Sequence, residues 1–170
     1  MENEAAVSGN LLERLKRISL FSDIRDNPEY MDRLLEICTT REFKAGERII
    51  GEGDLGSGMY ILNKGAVTIR KRTRAGDTYT VVNLRAEDNV FFGELALIDD
   101  ERRSATVEAR QDSECLEITK NAFIKLGNEH PGLGLPITRE ISRILASRLR
   151  KTNEDMMTIF DALVNELKGE

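Results

Sequence analysis

Phe92-Gly93-Glu94-Leu95-Ala96-Leu97 and Arg103-Ser104-Ala105-Thr106-Val107 bracket a short, largely acidic loop. Gly93 lets a bare backbone turn sharply and come close to a ligand. The residues after it, Glu94 to Ile98, are good helix formers between apolar segments. They predict one or two helical turns whose first N–H groups face outward, where an anion can sit. Arg103 then opens an expected strand over Ser104–Arg110, in which Ala105, Val107 and Ala109 share a face because side chains alternate with period two. By the same parity Arg103 points with the apolar set. An inward arginine is costly unless it meets an anion, and its planar fork suits phosphate oxygens. The two pieces read together as a phosphate cradle. Singly, Phe92, Leu95 and Leu97 also read as core, Glu94 as a first-turn carboxylate favoured by the helix dipole, and Arg103 as a solvated strand end.

The run FGELALIDDERRSATVEA, including the spacing between its glutamate and arginine, closely resembles the phosphate-binding cassette of the cyclic nucleotide-binding domain family. The resemblance implies roles for particular residues. Arg103 would pair with the cyclic phosphate, helped by backbone N–H groups at Leu95 and Ala96 and by the Ser104 hydroxyl. Glu94 would accept the ribose 2′-hydroxyl, with Gly93 bringing the backbone alongside. One departure lies upstream, where the family has a turn glycine four residues before the Gly-Glu pair and this chain has Asn89. Asparagine is the next most tolerant of left-handed backbone, so the turn is expected to persist.

Outward from the cassette, eight of the 13 glycines fall from Gly46 to Gly93, among short runs rich in Val, Ile, Tyr and Thr. That density of turns predicts an all-β unit. The expected strands are Arg48–Gly51, Met59–Asn63, Ala66–Lys71, Thr78–Leu84, Ser104–Arg110 and Cys115–Ile118, with a hairpin tip at Ala75-Gly76-Asp77 and a turn at Lys64-Gly65. The family's β-roll shares the landmarks Gly46-Glu47, Glu52-Gly53-Asp54, Tyr60 and Gly65. Arg70, Lys71, Arg72 and Arg74 form the one basic cluster, read as a solvated hairpin end or as a docking patch for an acidic partner.

Ahead of the strands, residues 1–9 read as disordered. Leu11, Leu12, Leu15 and Ile18 are helically spaced with Asn10 as N-cap. A second helix follows Pro28 on the stripe Tyr30, Met31, Leu34, Leu35 and Cys38. The segment SLFSDI resembles the family's helical lead-in, and the resemblance runs from about residue 18 to 165.

Behind the strands, a helix is expected around Lys120–Asn128, then a Pro- and Gly-rich hinge from His130 to Pro136. From Ile137 the spacing of Leu145, Leu149, Thr152, Met156, Ile159, Leu163 and Leu167 is heptad-like, with Ile141 in step. This predicts a long C-terminal helix forming a two-stranded seam, against the alternative of an amphipathic helix packed on its own domain. Thr152 interrupts the seam. Bacterial catabolite-activator-type proteins resemble this chain here, with a Thr-Ser pair after an Arg-Leu run; the sequence reads Arg148-Leu149-Arg150-Lys151-Thr152-Asn153. The resemblance implies that Thr152 contacts the purine of its own subunit, while Asn153, in place of Ser, reaches across from the partner.

The chain of 170 residues carries net charge −5, 40% hydrophobic and 32% charged residues. One globular unit with an appended element fits this length, and the acidic balance without a long basic tract argues against nucleic acid as partner. Cys38 and Cys115 are far apart in apolar contexts and read as buried free thiols. With no apolar leader and no long apolar run, the expectation is a cytoplasmic protein without a membrane partner. His130, the single histidine, cannot build a multi-histidine metal site. A cupin-type jelly-roll enzyme would need such a site, so no metal, cofactor or catalytic residue is expected.

The fold class is therefore mainly β with flanking helices, a jelly-roll-like cyclic nucleotide-binding β-roll. Residues 1–40 form the tail and N-terminal helices, 41–119 the β-roll with its cassette at 92–107, 120–136 the helix and hinge, and 137–170 a dimerisation helix. The function expected from the resemblance is a regulatory, non-enzymatic sensor of a cyclic purine nucleotide, homodimeric, with an unidentified downstream protein. A threonine directly after the cassette arginine favours guanine in related domains; Ser104 is permissive, so cAMP is expected ahead of cGMP. An adaptor or dimerisation protein with a vestigial or differently specific pocket is the alternative. Met1 and the end at Glu170 suggest a self-contained sensor without a helix-turn-helix, rather than the sensor part of a longer regulator.

Overall fold

The computed structural model describes residues 2–169, with side chains from residue 9 onward. Eight strands build two antiparallel sheets. One has the order β1 (Cys38–Phe43), β8 (Ser113–Thr119), β3 (Gly58–Lys64), β6 (Phe91–Phe92); the other has β2 (Arg48–Ile50), β7 (Thr106–Ala109), β4 (Ala66–Arg72), β5 (Thr78–Arg85). Four helices flank them: α1 (Glu2–Arg17), α2 (Pro28–Glu36), α3 (Lys120–Glu129) and α4 (Pro131–Lys168).

β3 shows why the sheets stack as they do. Its residues Met59 to Leu62 are apolar without alternation, and all are buried. Period two then sends Tyr60 and Leu62 one way and Met59 and Ile61 the other. Tyr60 and Leu62 meet Ile50, Val67, Phe92, Val107 and Cys115 between the sheets. Met59 and Ile61 meet a second cluster from the helices, including Leu15, Met31, Leu34, Phe123, Leu133 and Ile141. A strand buried on both faces is thus the wall between two cores. The free thiols of Cys38 and Cys115 sit in these interiors, and burial pushes both up to about 12.

The helices begin and cross for local reasons. The Asn27 side chain caps α2 by accepting from the Tyr30 amide at 3.2 Å, ahead of Pro28 in the first turn. α3 and α4 approach closely because Gly127 faces Gly134, where an added Cβ would lie 2.6 Å from the Gly127 Cα.

Four local expectations are corrected. α1 runs from Glu2, so residues 2–9 are helical and Asn10 lies inside the helix rather than capping it. Pro131 to Pro136 belong to α4, and the chain break is at His130 alone. Pro131 occupies the first helical position, where a missing N–H costs nothing, whereas Pro136 lies inside the helix and leaves the Gly132 carbonyl without its usual intrahelical donor. The strand expected from Ser104 begins at Thr106, after bends at Ser104 and Ala105 that separate it from Arg103. β1 and β6 were not expected; Thr39 to Glu42 are exposed and polar, and β6 has two residues.

Asn89 adopts φ 52° and ψ 49°, the left-handed turn expected of it. Its side chain also anchors α1: Arg14 donates to Asn89 Oδ1 at 2.8 Å, to the Leu62 carbonyl at 2.6 Å and to the Ala86 carbonyl. The first helix is thereby tied to the turn just ahead of the cassette. Arg14→Ala is expected to leave these acceptors unpaired and to cost about 1–3 kcal/mol of stability, read from urea unfolding.

Candidate functional site

The cassette is a tight turn held under an arginine. Phe92 stacks on Tyr60 with ring centroids 5.6 Å apart, and Phe43 meets Tyr60 edge-on at 6.3 Å. The Tyr60 hydroxyl donates to Glu117 at 3.1 Å; burial first, then that carboxylate, pushes its pKa up to about 12. The chain then turns at Gly93, φ 77°, into one 3₁₀ turn over Glu94–Leu97, within the one or two helical turns expected there. The Ala96 amide is used inside this turn, donating to the Gly93 carbonyl at 3.2 Å. The Leu95 amide has no backbone acceptor among the described residues.

Arg103 is drawn inward, although bends at Ser104 and Ala105 interrupt the strand parity with Val107 and Ala109 from which that was expected. Its Nη1 donates to the Gly93 carbonyl at 2.9 Å and its Nη2 to the Gly58 carbonyl at 2.5 Å. Burial lowers its pKa from the ordinary arginine value, opposed by Tyr60, Glu94, Asp99 and Glu117 around it. Two of five N–H donors are spent on backbone, and the rest of the fork remains for an anion. Space for the guanidinium depends on Gly93, where an added Cβ would come within 2.7 Å of Nη1. Gly93→Ala would also strain a positive φ. It is expected to displace Arg103 and weaken anion binding at least about tenfold, checked by calorimetry on a variant shown to be folded.

Glu94 is 3% exposed, and its Oε1 meets Nη1 of Arg148 on α4 at 2.5 Å. A buried carboxylate needs such a partner, and its second oxygen is left to accept a hydroxyl. This pair joins the cassette to the long helix.

Cassette, β4–β5 hairpin and α4 together enclose a cavity of about 690 Å³. Gly93, Glu94, Leu95, Ala96, Arg103, Ser104 and Thr152 all line it. Asn153 does not; it is exposed on the other side of the helix step. The hairpin contributes Ile69, Val81, Val82 and Leu84. Two consecutive valines face one cavity because β5 carries an extra residue there: Ile69 pairs with Val82 and Arg70 with Thr80, leaving Val81 bulged.

Sequence reasoning missed Arg148 and the valines. Arg148 carries no site role in the sequence reading, although it precedes Thr152 by four residues and so shares its face of α4. That spacing was the available signal. The bulge has none, since pairing register is not written in β5 alone.

What the geometry offers is a charged site with an apolar wall. Half-buried Arg103 and buried Glu94 stand in the cassette, further charged side chains come from β4, the acidic loop and α4, and Ile50, Ile69, Val81, Val82 and Leu84 supply an apolar surface. The set can hold a compact, singly charged ligand that combines an anion, a hydroxyl and a flat apolar ring.

Comparison with known proteins agrees. The cyclic nucleotide-binding domain family matches residues 40–130. The cyclic AMP receptor protein of Thermus thermophilus is 28% identical over 129 residues, covering 76% of this chain and 57% of its own length. The cAMP-dependent protein kinase regulatory subunit of Dictyostelium discoideum is 32% identical over 117 residues, 67% of this chain and 35% of that protein. This chain therefore spans about half or less of the curated relatives it matches. Among solved structures, the Thermus thermophilus catabolite activator protein superposes with a TM-score of 0.71 at 27% identity, covering 82% of this chain and 62% of that one. With the β-roll, the cassette and these matches in agreement, the chain belongs to the cyclic nucleotide-binding domain family.

Proposed function

We propose that this protein is a cAMP sensor, a regulatory binding module that makes and breaks no bond in its ligand. One observation carries the reading: Arg103, held by two backbone carbonyls, and Glu94, held by Arg148, open into the same cavity. Arg103 takes the cyclic phosphate, with Ser104 and the Leu95 and Ala96 amides beside it, and Glu94 takes the ribose 2′-hydroxyl next to Gly93. Thr152 meets the purine, and Asn153 meets it from a partner protomer. Ser104, rather than a threonine, directly after the cassette arginine favours cAMP ahead of cGMP.

The proposed output runs through α4. Leu149, Met156, Ile159, Leu163 and Leu167 are between 52% and 79% exposed on a protomer. Five large apolar side chains bare to water along one heptad stripe favour a homodimer through this helix. Ligand capture at the Glu94–Arg148 pair shifts α4 relative to the cassette, and the dimer passes that shift to a downstream protein. Among the described residues no helix is long and apolar enough to cross a membrane. Two free thiols, Cys115 buried and Cys38 partly so, support a cytoplasmic setting.

Calorimetry with cAMP and cGMP side by side tests the ligand. Saturable binding, one nucleotide per protomer and tighter for cAMP, is expected; no heat with either would leave an adaptor with a vestigial pocket.

A further inference from the structure

One cation lining the cavity has no task in this reading. β4 sends alternate side chains to opposite sides, so Ile69 and Lys71 share the cavity face, while Arg70 turns away and pairs with Glu108 at 2.9 Å. Lys71 is half-buried, unlike the exposed Arg72 and Arg74 beyond it. Four carboxylates line the same cavity. Glu94 is held by Arg148, and none of Asp99, Glu101 or Asp155 forms an ion pair with Lys71 among the described residues.

An ammonium has three donors and no acceptor, and drawing it partly out of water is costly until something accepts from it. With phosphate and ribose placed at Arg103 and Glu94, the part of a cyclic nucleotide left to meet Lys71 and the β4–β5 side of the cavity is the base. Val81, Val82 and Leu84 offer the ring face an apolar surface, which every purine satisfies equally. Discrimination must therefore come from the ring edge. A 6-oxo group presents an acceptor there, while a 6-amino group presents N–H to a cation that needs no donor.

We infer that Lys71 is a specificity-determining residue that donates to the 6-oxo group of a bound purine, so that the site takes cGMP and cIMP alongside cAMP. The inference rests on the reading of the cavity as a cyclic purine nucleotide site. It reassigns one member of the basic cluster: Lys71 belongs to the pocket, and the arginines beyond it belong to the hairpin surface.

The test is calorimetry of wild type, Lys71→Met and Lys71→Gln with cAMP, cGMP and cIMP. Lys71→Met is expected to weaken cGMP and cIMP by about tenfold, the scale of one hydrogen bond from a charged donor, and cAMP by less than about threefold. Lys71→Gln, which still donates, is expected to keep part of the cGMP affinity. Equal loss of cGMP and cIMP assigns the contact to the 6-oxo group, because cIMP lacks the 2-amino group. Equal weakening of all three ligands by Lys71→Met would reduce Lys71 to a general attraction for phosphate and overturn the inference. So would an unchanged ratio of cGMP to cAMP affinity, or a loss confined to cGMP. Absence of binding by all three to the wild type would instead overturn the cyclic nucleotide reading beneath it.

Discussion

Arg103→Ala is expected to weaken cAMP binding by about 2–5 kcal/mol, the range for removing one partner of a desolvated charge pair. The guanidinium reaches the ligand as a preformed group, already fixed by the Gly93 and Gly58 carbonyls, so little ordering is lost on binding. Its removal leaves the phosphate facing a buried carboxylate and two carbonyls. The fold should survive, because the side chain is only half-buried and contributes little to either hydrophobic cluster. Circular dichroism and unfolding curves check the fold; calorimetry checks the loss. A folded variant that binds as tightly as wild type would remove Arg103 from the site. Glu94→Gln is expected to do less, and to matter hardly at all for 2′-deoxy-cAMP, which has no hydroxyl to lose.

The second large effect concerns assembly. Leu149 and Met156 are 62% and 60% exposed on the protomer, so replacing both by Asp disturbs no packing within the chain. Across a parallel seam the same change sets four carboxylates against one another, and symmetry makes each substitution count twice. Sedimentation should show dimers for wild type and monomers for the double variant. The monomer keeps Arg103 and Glu94, so capture of ribose and phosphate persists. It loses the partner's Asn153 at the base, which is expected to cost about 1 kcal/mol of affinity and to blunt the preference between cAMP and cGMP. A wild type that sediments as a monomer with and without nucleotide would contradict the seam. A monomeric variant with unchanged affinity and selectivity would contradict the link between seam and ligand.

Much of this was legible in the chain, for physical reasons that differ from residue to residue. The inward setting of Arg103 was expected from period-two parity with Val107 and Ala109, but bends at Ser104 and Ala105 break that parity, and the side chain is held inward by the Gly93 and Gly58 carbonyls instead. The left-handed turn at Asn89 followed from the narrow set of residues that tolerate it. β3 was visible as an apolar run, and β4 and β5 by the turn at Gly76 between them, which adopts φ 97°. β1 was silent because its four central residues face water on an open surface and carry no alternation. The start of α1 was hidden because helix propensity in an acidic, Ala-rich tail resembles disorder when no apolar stripe marks it. The proline-rich segment after His130 looked like a hinge because two prolines and two glycines outweighed its apolar spacing, yet Leu133 and Ile137 are buried and hold it in α4.

The candidate site was half legible. Its cassette part lies within a dozen residues of sequence, where spacing speaks. The remainder is assembled from β4, β5 and α4, and the pairing of Glu94 with Arg148 spans 54 residues, over which spacing says nothing. Lys71 shows the same limit: among four basic residues in five positions, only the strand's facing separates the one in the cavity from those in water.

A crystal structure of the protein with cAMP tests the central claim most directly. The account predicts nucleotide in the cavity under α4, its cyclic phosphate on the free donors of Arg103, its 2′-hydroxyl on the second oxygen of Glu94 and its purine against Thr152. A ligand bound elsewhere, or one lying in the cavity with its phosphate away from Arg103, would contradict it.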